Sequence, residues 1–208
     1  MTNYEARFGG ILRLYGRHGQ DRLRGAHVCV VGIGGVGSWA VEALARTGIG
    51  TLTLVDLDDV CISNVNRQLH ALTGEFGKPK VEVMAARVQL INPDCVVHAQ
   101  QMLFTASTAE QILAPKYDCV LDAIDRTVMK ALLIAECRRR QLPIVVTGGA
   151  GGRRDPLAIC VEDLARTTHD RLLSTTRNLL RAEHGFPRDT KKKFGVACIY
   201  SPEAQLYP

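Results

Sequence analysis

Gly32, Gly34 and Gly37 stand in a Gly-x-Gly-x-x-Gly spacing at the end of the run His27-Val28-Cys29-Val30-Val31. Residues without side chains let a backbone come close to a pyrophosphate, and a helix starting behind them aims its N-terminal N–H groups at that charge. The chemistry implied is nucleotide binding; a tight strand-to-helix turn that binds nothing is the plain alternative. Asp56 follows Gly37 by 19 residues, where a carboxylate can accept hydrogen bonds from ribose hydroxyls, and it would serve NAD or ATP equally unless it only caps a turn. A second group separates the two nucleotides. A dinucleotide diphosphate is held mainly by the helix terminus, whereas a triphosphate under attack needs cations to neutralise the leaving pyrophosphate. Arg67 and Lys80 supply such cations, with the amides Asn64 and Gln68 beside Arg67 in the same polar stretch.

These residues need a scaffold, and the patterning supplies one. The sequence predicts a strand over 27–31, a helix over 36–47 stopped by Gly48 and Gly50, and a strand over 51–55 ending on Asp56. Asp56 to His70 is then polar where an ordinary dehydrogenase would enter its next helix, which makes it a candidate reaction site. A helix over 80–91 ends at Asn92-Pro93, a strand covers 95–99, and Ser107 is placed to cap a short helix ending near Leu113. Further strands are expected at 117–121 and 143–147, with a helix over 128–140 between them. Ligands of doubly wound sheets bind off the carboxyl ends of strands, so the segments 32–38, 122–126 and 147–154 should share one edge. Beyond Gly152 come an alternating run at 157–161, a helix over 169–182, a Pro-Lys-rich stretch at 187–193 and a strand at 196–200.

The expected fold is α/β, a Rossmann-like doubly wound and mostly parallel sheet with an irregular C-terminal extension. It divides as one domain over 1–208: an N-terminal segment to 25 with no place in the sheet, a nucleotide-binding core over 26–152, and the extension over 153–208. A stop at Tyr207-Pro208 directly after a strand suggests a continuation. No run is long enough to cross a bilayer and the first residues lack a signal-peptide core, so a cytoplasmic protein is expected. Seven dispersed cysteines without a Cys-x-x-Cys pair argue against a zinc ribbon, and more strongly against a disulfide framework. Cys29, Cys119, Cys160 and Cys198 read as buried thiols; Cys61, in the polar stretch, is the one position worth testing for a thioester, with core packing the preferred reading. The net charge of +5 permits an RNA partner without demanding one, and the clusters at Arg138-Arg139-Arg140, Arg153-Arg154 and Arg188 with Lys191-Lys192-Lys193 could meet phosphates or simply be solvated.

Five motifs in order, Gly32-x-Gly34-Gly35-Val36-Gly37-Ser38, Asp56-Leu57-Asp58, Ser63-Asn64-x-Asn66-Arg67-Gln68, Gly77-Lys78-Pro79-Lys80 and Asp122-x-x-Asp125, resemble the adenylation domain of the ubiquitin-activating-enzyme-like (E1-like) superfamily. Arg7 to Gly10 with Arg13 to Gly16, Gly148 to Gly152 with Asp155-Pro156, and Lys193 to Val196 with Ser201-x-Glu203 make it most similar to the tRNA threonylcarbamoyladenosine dehydratase branch. The resemblance implies that ATP activates the threonyl carboxylate of a modified adenosine in the tRNA anticodon loop as an acyl-adenylate. Attack from within the same side chain then closes a ring.

By the same resemblance Gly32, Gly34, Gly35 and Gly37 line the phosphates, Asp56 takes the ribose, and Asn64, Arg67 and Lys80 grip the triphosphate. Asp125 holds a divalent cation, Mg, and Asp58 and Gln68 are further nucleotide contacts unless they are a turn residue and a helix-start residue. The superfamily supplies an arginine in trans to its partner's ATP, which implies a homodimer. Relatives often show Arg-Tyr-x-Arg where this chain has Arg7-Phe8-Gly9-Gly10, so Arg13 is the first candidate, Arg7 the second, and Arg17 a surface residue. A sulfur-transfer protein is a further possible partner. The rival readings are an adenylyltransferase for a ubiquitin-like sulfur carrier, an NAD-dependent oxidoreductase, and a non-catalytic binding module on the same fold.

Overall fold

The computed structural model describes residues 3–206. Tyr207 and Pro208, where a continuation was expected, lie outside the described residues, as do Met1 and Thr2. Helix α1 (Asn3–Gly25), kinked where Gly16 leaves helical geometry, leads into β1 (His27–Val31), α2 (Gly37–Arg46), β2 (Thr51–Val55), α3 (Lys80–Ile91), β3 (Val96–Gln100) and α4 (Ala109–Ile112). The chain continues through β4 (Cys119–Asp122), α5 (Thr127–Arg139), β5 (Ile144–Thr147), β6 (Cys160–Asp163), α6 (Arg171–Glu183) and β7 (Ala197–Tyr200).

The seven strands form one sheet in the order β3-β2-β1-β4-β5-β7-β6. β1 pairs in parallel with β2 on one side and β4 on the other, so the order reverses beside β1, where doubly wound sheets open their ligand crevice. β1 and β2 are buried along nearly their whole length because helices cover both faces, which is why they read as continuous apolar runs. The C-terminal third adds to the same sheet: β7 lies parallel to β5, and β6 runs antiparallel to β7 with Cys160 opposite Tyr200. One apolar cluster joins Val30, Val41, Leu54 and Met84; a second joins Val31, Phe104, Val120 and Leu133; the third seats α6 through Leu173 and Leu180 against Val146 and Cys198.

Several boundaries move for local reasons. Cys95 closes a turn onto the Asn92 carbonyl at 3.0 Å, so β3 starts one residue later than the apolar pattern suggests. Ser107 is not the cap of α4: Thr108 holds that position without a capping bond, and the Ser107 hydroxyl pairs with Thr105. The alternating run at 157–161 breaks into a 3-10 turn at Pro156–Ala158 before β6, since Asp155 accepts the Leu157 N–H. The N-terminal segment stays outside the sheet but is anchored within the chain. Tyr4 and Phe8 are buried with ring centroids 4.6 Å apart, and the Tyr4 hydroxyl donates to the Gly48 carbonyl at 2.7 Å.

At the end of β4 the Asp122 carboxyl and the Lys130 ammonium of α5 meet at 3.1 Å, both side chains 0% exposed. The ammonium also donates to the Ile124 carbonyl at 3.0 Å, and Thr147 Oγ1 donates to the Asp122 carbonyl at 3.0 Å. This ties together the ends of β4 and β5 and the turn into α5. Burial pushes the Asp122 carboxyl up, against the pull of Lys130. Removing one partner strands the other charge, so Lys130→Ala is expected to cost about 3–5 kcal/mol in urea unfolding. A loss under about 1 kcal/mol would show that the pair does not hold this edge.

Candidate active site

The close approach of backbones at the carboxyl edge of β1 builds the site. Gly32 has φ +90°, and a Cβ there would lie 2.7 Å from the Ala123 carbonyl oxygen at the end of β4. A Cβ on Gly37 would lie 1.8 Å from the Gly32 oxygen. Only glycine fits either position, and the loop therefore folds tightly into α2 with its first residue against the turn that carries Asp125. The two central glycines meet side chains instead. A Cβ on Gly35 would sit 3.4 Å from Arg67 Cγ, and one on Gly34 would sit 3.8 Å from Gln68 Nε2. The arginine stem thus lies over the loop, with Gln68 buried beneath it.

Asp56 reaches the loop from the end of β2. Its Oδ2 accepts the Ile33 N–H at 2.6 Å and its Oδ1 accepts the Asp58 N–H at 2.8 Å, so it turns the chain and fixes the loop at once. Each oxygen keeps a lone pair for a hydroxyl donor. Asp58 is no simple turn residue: its exposed carboxylate pairs with the Lys80 ammonium at 2.9 Å, while the lysine side chain lies below the surface at the start of α3. Gln68 does not start a helix; it closes the turns after the 3-10 segment Ile62–Asn64, its N–H donating to the Asn64 carbonyl at 2.9 Å. The Asn64 side chain is partly committed, since its Oδ1 accepts the Cys61 N–H at 3.0 Å. The Arg67 guanidinium rests on the Ser63 carbonyl and the Asn66 side chain, and Trp39 Nε1 holds the Arg67 carbonyl at 3.1 Å.

The three segments expected on one edge are all there. Ala123 touches the loop, Thr147 bonds to Asp122, and the glycines after β5 follow Thr147 directly. Asp125 is exposed beyond Ala123 and Ile124. The N-terminal arginines separate. Arg7 is held by the Asn3 side chain and by the Ile91 carbonyl at 3.1 Å, and Arg17 pairs with Glu5 at 3.0 Å. Arg13 is exposed and forms no side-chain bond among the described residues. Cys61 corrects the sequence reading: it is exposed rather than packed in the core, and a hydrogen bond from the Ser63 hydroxyl at 3.2 Å lowers its thiol below the usual range. Of the other thiols, Cys29 and Cys198 are buried while Cys119 and Cys160 are half-buried. In the 138–140 cluster Arg139 and Arg140 pair with Glu136 and Glu110, so these cations have local partners.

The ThiF family matches residues 9–179, most of the chain and all five motifs. The chain belongs to the ThiF family. The tRNA threonylcarbamoyladenosine dehydratase of Haemophilus influenzae is 49% identical over 208 residues, covering 100% of this chain and 80% of that protein. The Escherichia coli enzyme of the same name, solved in complex with ATP, superposes at a TM-score of 0.97 with 50% identity, covering 100% of this chain and 86% of that one. The sulfur carrier protein ThiS adenylyltransferase of E. coli is more distant, 34% identical over 133 residues, covering 64% of this chain and 53% of that protein.

Two features of this ThiF-family site had weak sequence signals. Glu203, part of the Ser201-x-Glu203 motif, accepts the N–H groups of Arg154 and Asp155 at 3.3 and 3.2 Å and the Ser201 hydroxyl at 2.9 Å, so it clasps the chain after β7 to the glycine-rich segment after β5. His70 is 1% exposed, and neither ring nitrogen has a partner among the described residues. Burial, with the Lys80 charge nearby, lowers its pKa to about 4.

A histidine depressed in the folded state binds its proton first in the unfolded chain. The stability it contributes is full above the unfolded value near 6.5 and drains away as pH falls toward 4. His70→Phe is expected to remove about 2 kcal/mol of the stability lost between pH 7 and pH 5, read by urea unfolding at both. An unchanged difference between the two pH values would show that His70 titrates normally. Gly37→Ala, which drives a methyl into the Gly32 carbonyl, is expected to weaken ATP binding about tenfold or more by calorimetry. Wild-type affinity in that variant would mean that the turn is not the phosphate cradle.

Proposed function

We propose that this chain is an ATP-dependent dehydratase of threonylcarbamoyladenosine in the tRNA anticodon loop, acting through an acyl-adenylate on the threonyl carboxylate. The observation that carries the reading is the match to a dehydratase over 100% of this chain, β6, α6, β7 and the Glu203 clasp included, against 64% of it for the sulfur-carrier relative. A free carboxylate is a poor electrophile, and its anhydride with AMP carries a good leaving group. The carboxylate oxygen attacks the α-phosphorus and pyrophosphate leaves. A nucleophile within the same side chain then attacks the acyl carbon and AMP leaves, so water is lost overall with ATP as the dehydrating agent. The neighbouring nucleophile has the high effective concentration of an intramolecular reaction, and no enzyme nucleophile is needed.

In this reading the N–H groups around Gly32 to Gly37 hold the phosphates and Asp56 holds the ribose. Arg67 and Lys80 neutralise the charge that grows on the leaving pyrophosphate. Lys80 is paired with Asp58, and a triphosphate would replace Asp58 as its partner. Among the described residues no group of three or more His, Cys, Asp or Glu could cage a metal. Mg takes one or two carboxylates together with substrate phosphates, and Asp125 is an exposed carboxylate at this edge that would hold it. Arg13, exposed and followed by the exposed apolar pair Leu14 and Tyr15, is the residue offered to a second copy in a homodimer acting on cytoplasmic tRNA.

ATP–pyrophosphate exchange tests the acceptor. Threonylcarbamoyl-modified tRNA should stimulate it and a carrier ending in Gly-Gly should not, and Arg67→Ala or Lys80→Ala should each lower the tRNA-dependent rate about 100-fold or more. Stimulation by the carrier alone would replace this reading with the adenylyltransferase one.

A further inference from the structure

Helix α6 starts beside the proposed reaction centre, and its start is unusually well fixed. Asp170 caps it, Oδ1 accepting the Leu173 N–H at 2.9 Å, while Oδ2 accepts the Gly149 N–H at 2.8 Å from the segment after β5. Gly148 admits this contact, since a Cβ there would lie 2.6 Å from Asp170 Oδ2. Arg153 fills the space between the two segments. Its guanidinium donates to the His169 carbonyl at 2.8 Å and to the Glu203 carbonyl, and it lies 3.7 Å from Asp170. The side chains of Arg153 and Asp170 are only 9% and 2% exposed.

Two open hollows adjoin on the first turns of α6. The larger, about 470 Å³, is lined by Asp125, Thr127, Arg153, Leu172 and Thr175. The smaller, about 370 Å³, is lined by His169, Ser174, Arg177 and Ala204. Asp170, Arg171 and Gln205 belong to both, so the hollows are contiguous.

Their chemistry differs. The smaller hollow gathers two guanidiniums and a hydroxyl at a helix N-terminus, while the one carboxylate in its lining, Asp170, accepts from the Leu173 and Gly149 N–H groups, a net cationic setting of the kind that holds a phosphate. The larger offers an apolar patch at Leu172, hydroxyls at Thr127 and Thr175, and a wall made by Arg153, whose buried Nε–H has no partner among the described residues. A buried donor left without an acceptor is costly, so a ligand acceptor that draws the guanidinium toward the hollow would relieve it. Asp125 stands at one side of the same hollow. The volume falls within the range of about 300–1,000 Å³ usual for small-molecule sites.

We propose that this double hollow is the substrate-nucleotide subsite. The phosphate of the modified nucleotide lies against Arg171, Arg177 and Ser174, and the base with its ureido arm occupies the larger hollow. The arm's carbonyl accepts from Arg153, and its carboxylate is directed past Asp125 toward the α-phosphate of ATP. The carboxylate itself needs no cation here, because it must stay free to attack. This inference rests on the dehydratase reading and adds the part of the site that selects the acceptor.

Arg171 and Thr175 are exposed on α6, and Arg171 makes no side-chain bond among the described residues, so both can be changed without opening the core. In the full-length protein Arg171→Ala should raise KM for modified tRNA about tenfold or more while leaving the calorimetric Kd for ATP unchanged. Thr175→Trp fills the larger hollow and should abolish turnover of modified tRNA while keeping wild-type affinity for ATP. Wild-type turnover by both variants would overturn the subsite while the dehydratase reading stands. Wild-type protein that binds ATP but leaves modified tRNA unchanged would overturn the dehydratase reading and the subsite with it.

Discussion

A contact between two backbones sets the geometry on which everything else in this protein depends. The Gly32 Cα faces the Ala123 carbonyl, and Gly37 packs onto the Gly32 carbonyl, at separations that no side chain could enter. Because β1 and β4 lie side by side at the reversal of strand order, this contact brings the glycine loop against the turn carrying Asp125. Asp56 then fixes the loop from β2 through the Ile33 N–H, and the Arg67 stem covers it from the polar stretch that follows. The buried Asp122–Lys130 pair holds the far side, joining the same turn to β5. Strands, loop and turn form one cradle.

Charge is distributed around that cradle with a clear division. Lys80 and Arg67 lie on the β2 side, with Asp58 as a resident counter-ion that a polyphosphate could displace. Arg153, Arg171 and Arg177 lie on the α6 side, where Asp170 balances one of them. Asp125 stands between the two groups, on the turn that touches both the loop and the larger hollow. A nucleotide that donates AMP and a nucleotide that accepts it would approach from opposite flanks and meet at that carboxylate. Two cationic flanks around one anionic centre suit a reaction between two polyanions, because each is drawn in without either being held at the point of attack.

Much of this was legible in the sequence because it rests on local patterning. β1, β2 and α3 fall where their apolar runs, Gly48 and Pro93 place them, and the three ligand-facing segments share an edge because strand ends must. What escaped depends on contacts between distant positions. Nothing around Asn3 to Gly25 shows that Tyr4 will reach the Gly48 carbonyl, nor does Lys130 announce that it will be buried on Asp122 eight residues earlier rather than solvated. Cys61 sits beside apolar Val60 and Ile62 and so resembles a core thiol, yet the 3-10 turn that follows presents it to solvent. The Glu203 clasp and the hollows on α6 join residues from 125 to 205, a juxtaposition that only the position of β7 beside β5 creates.

If the threonyl carboxylate attacks the α-phosphorus of ATP, an isotope can follow that oxygen directly. Modified tRNA carrying oxygen-18 in the threonyl carboxylate should yield AMP containing one labelled oxygen when the ring closes, since the bond formed in the first step is not the bond broken in the second. Unlabelled AMP, or ADP in its place, would contradict the account.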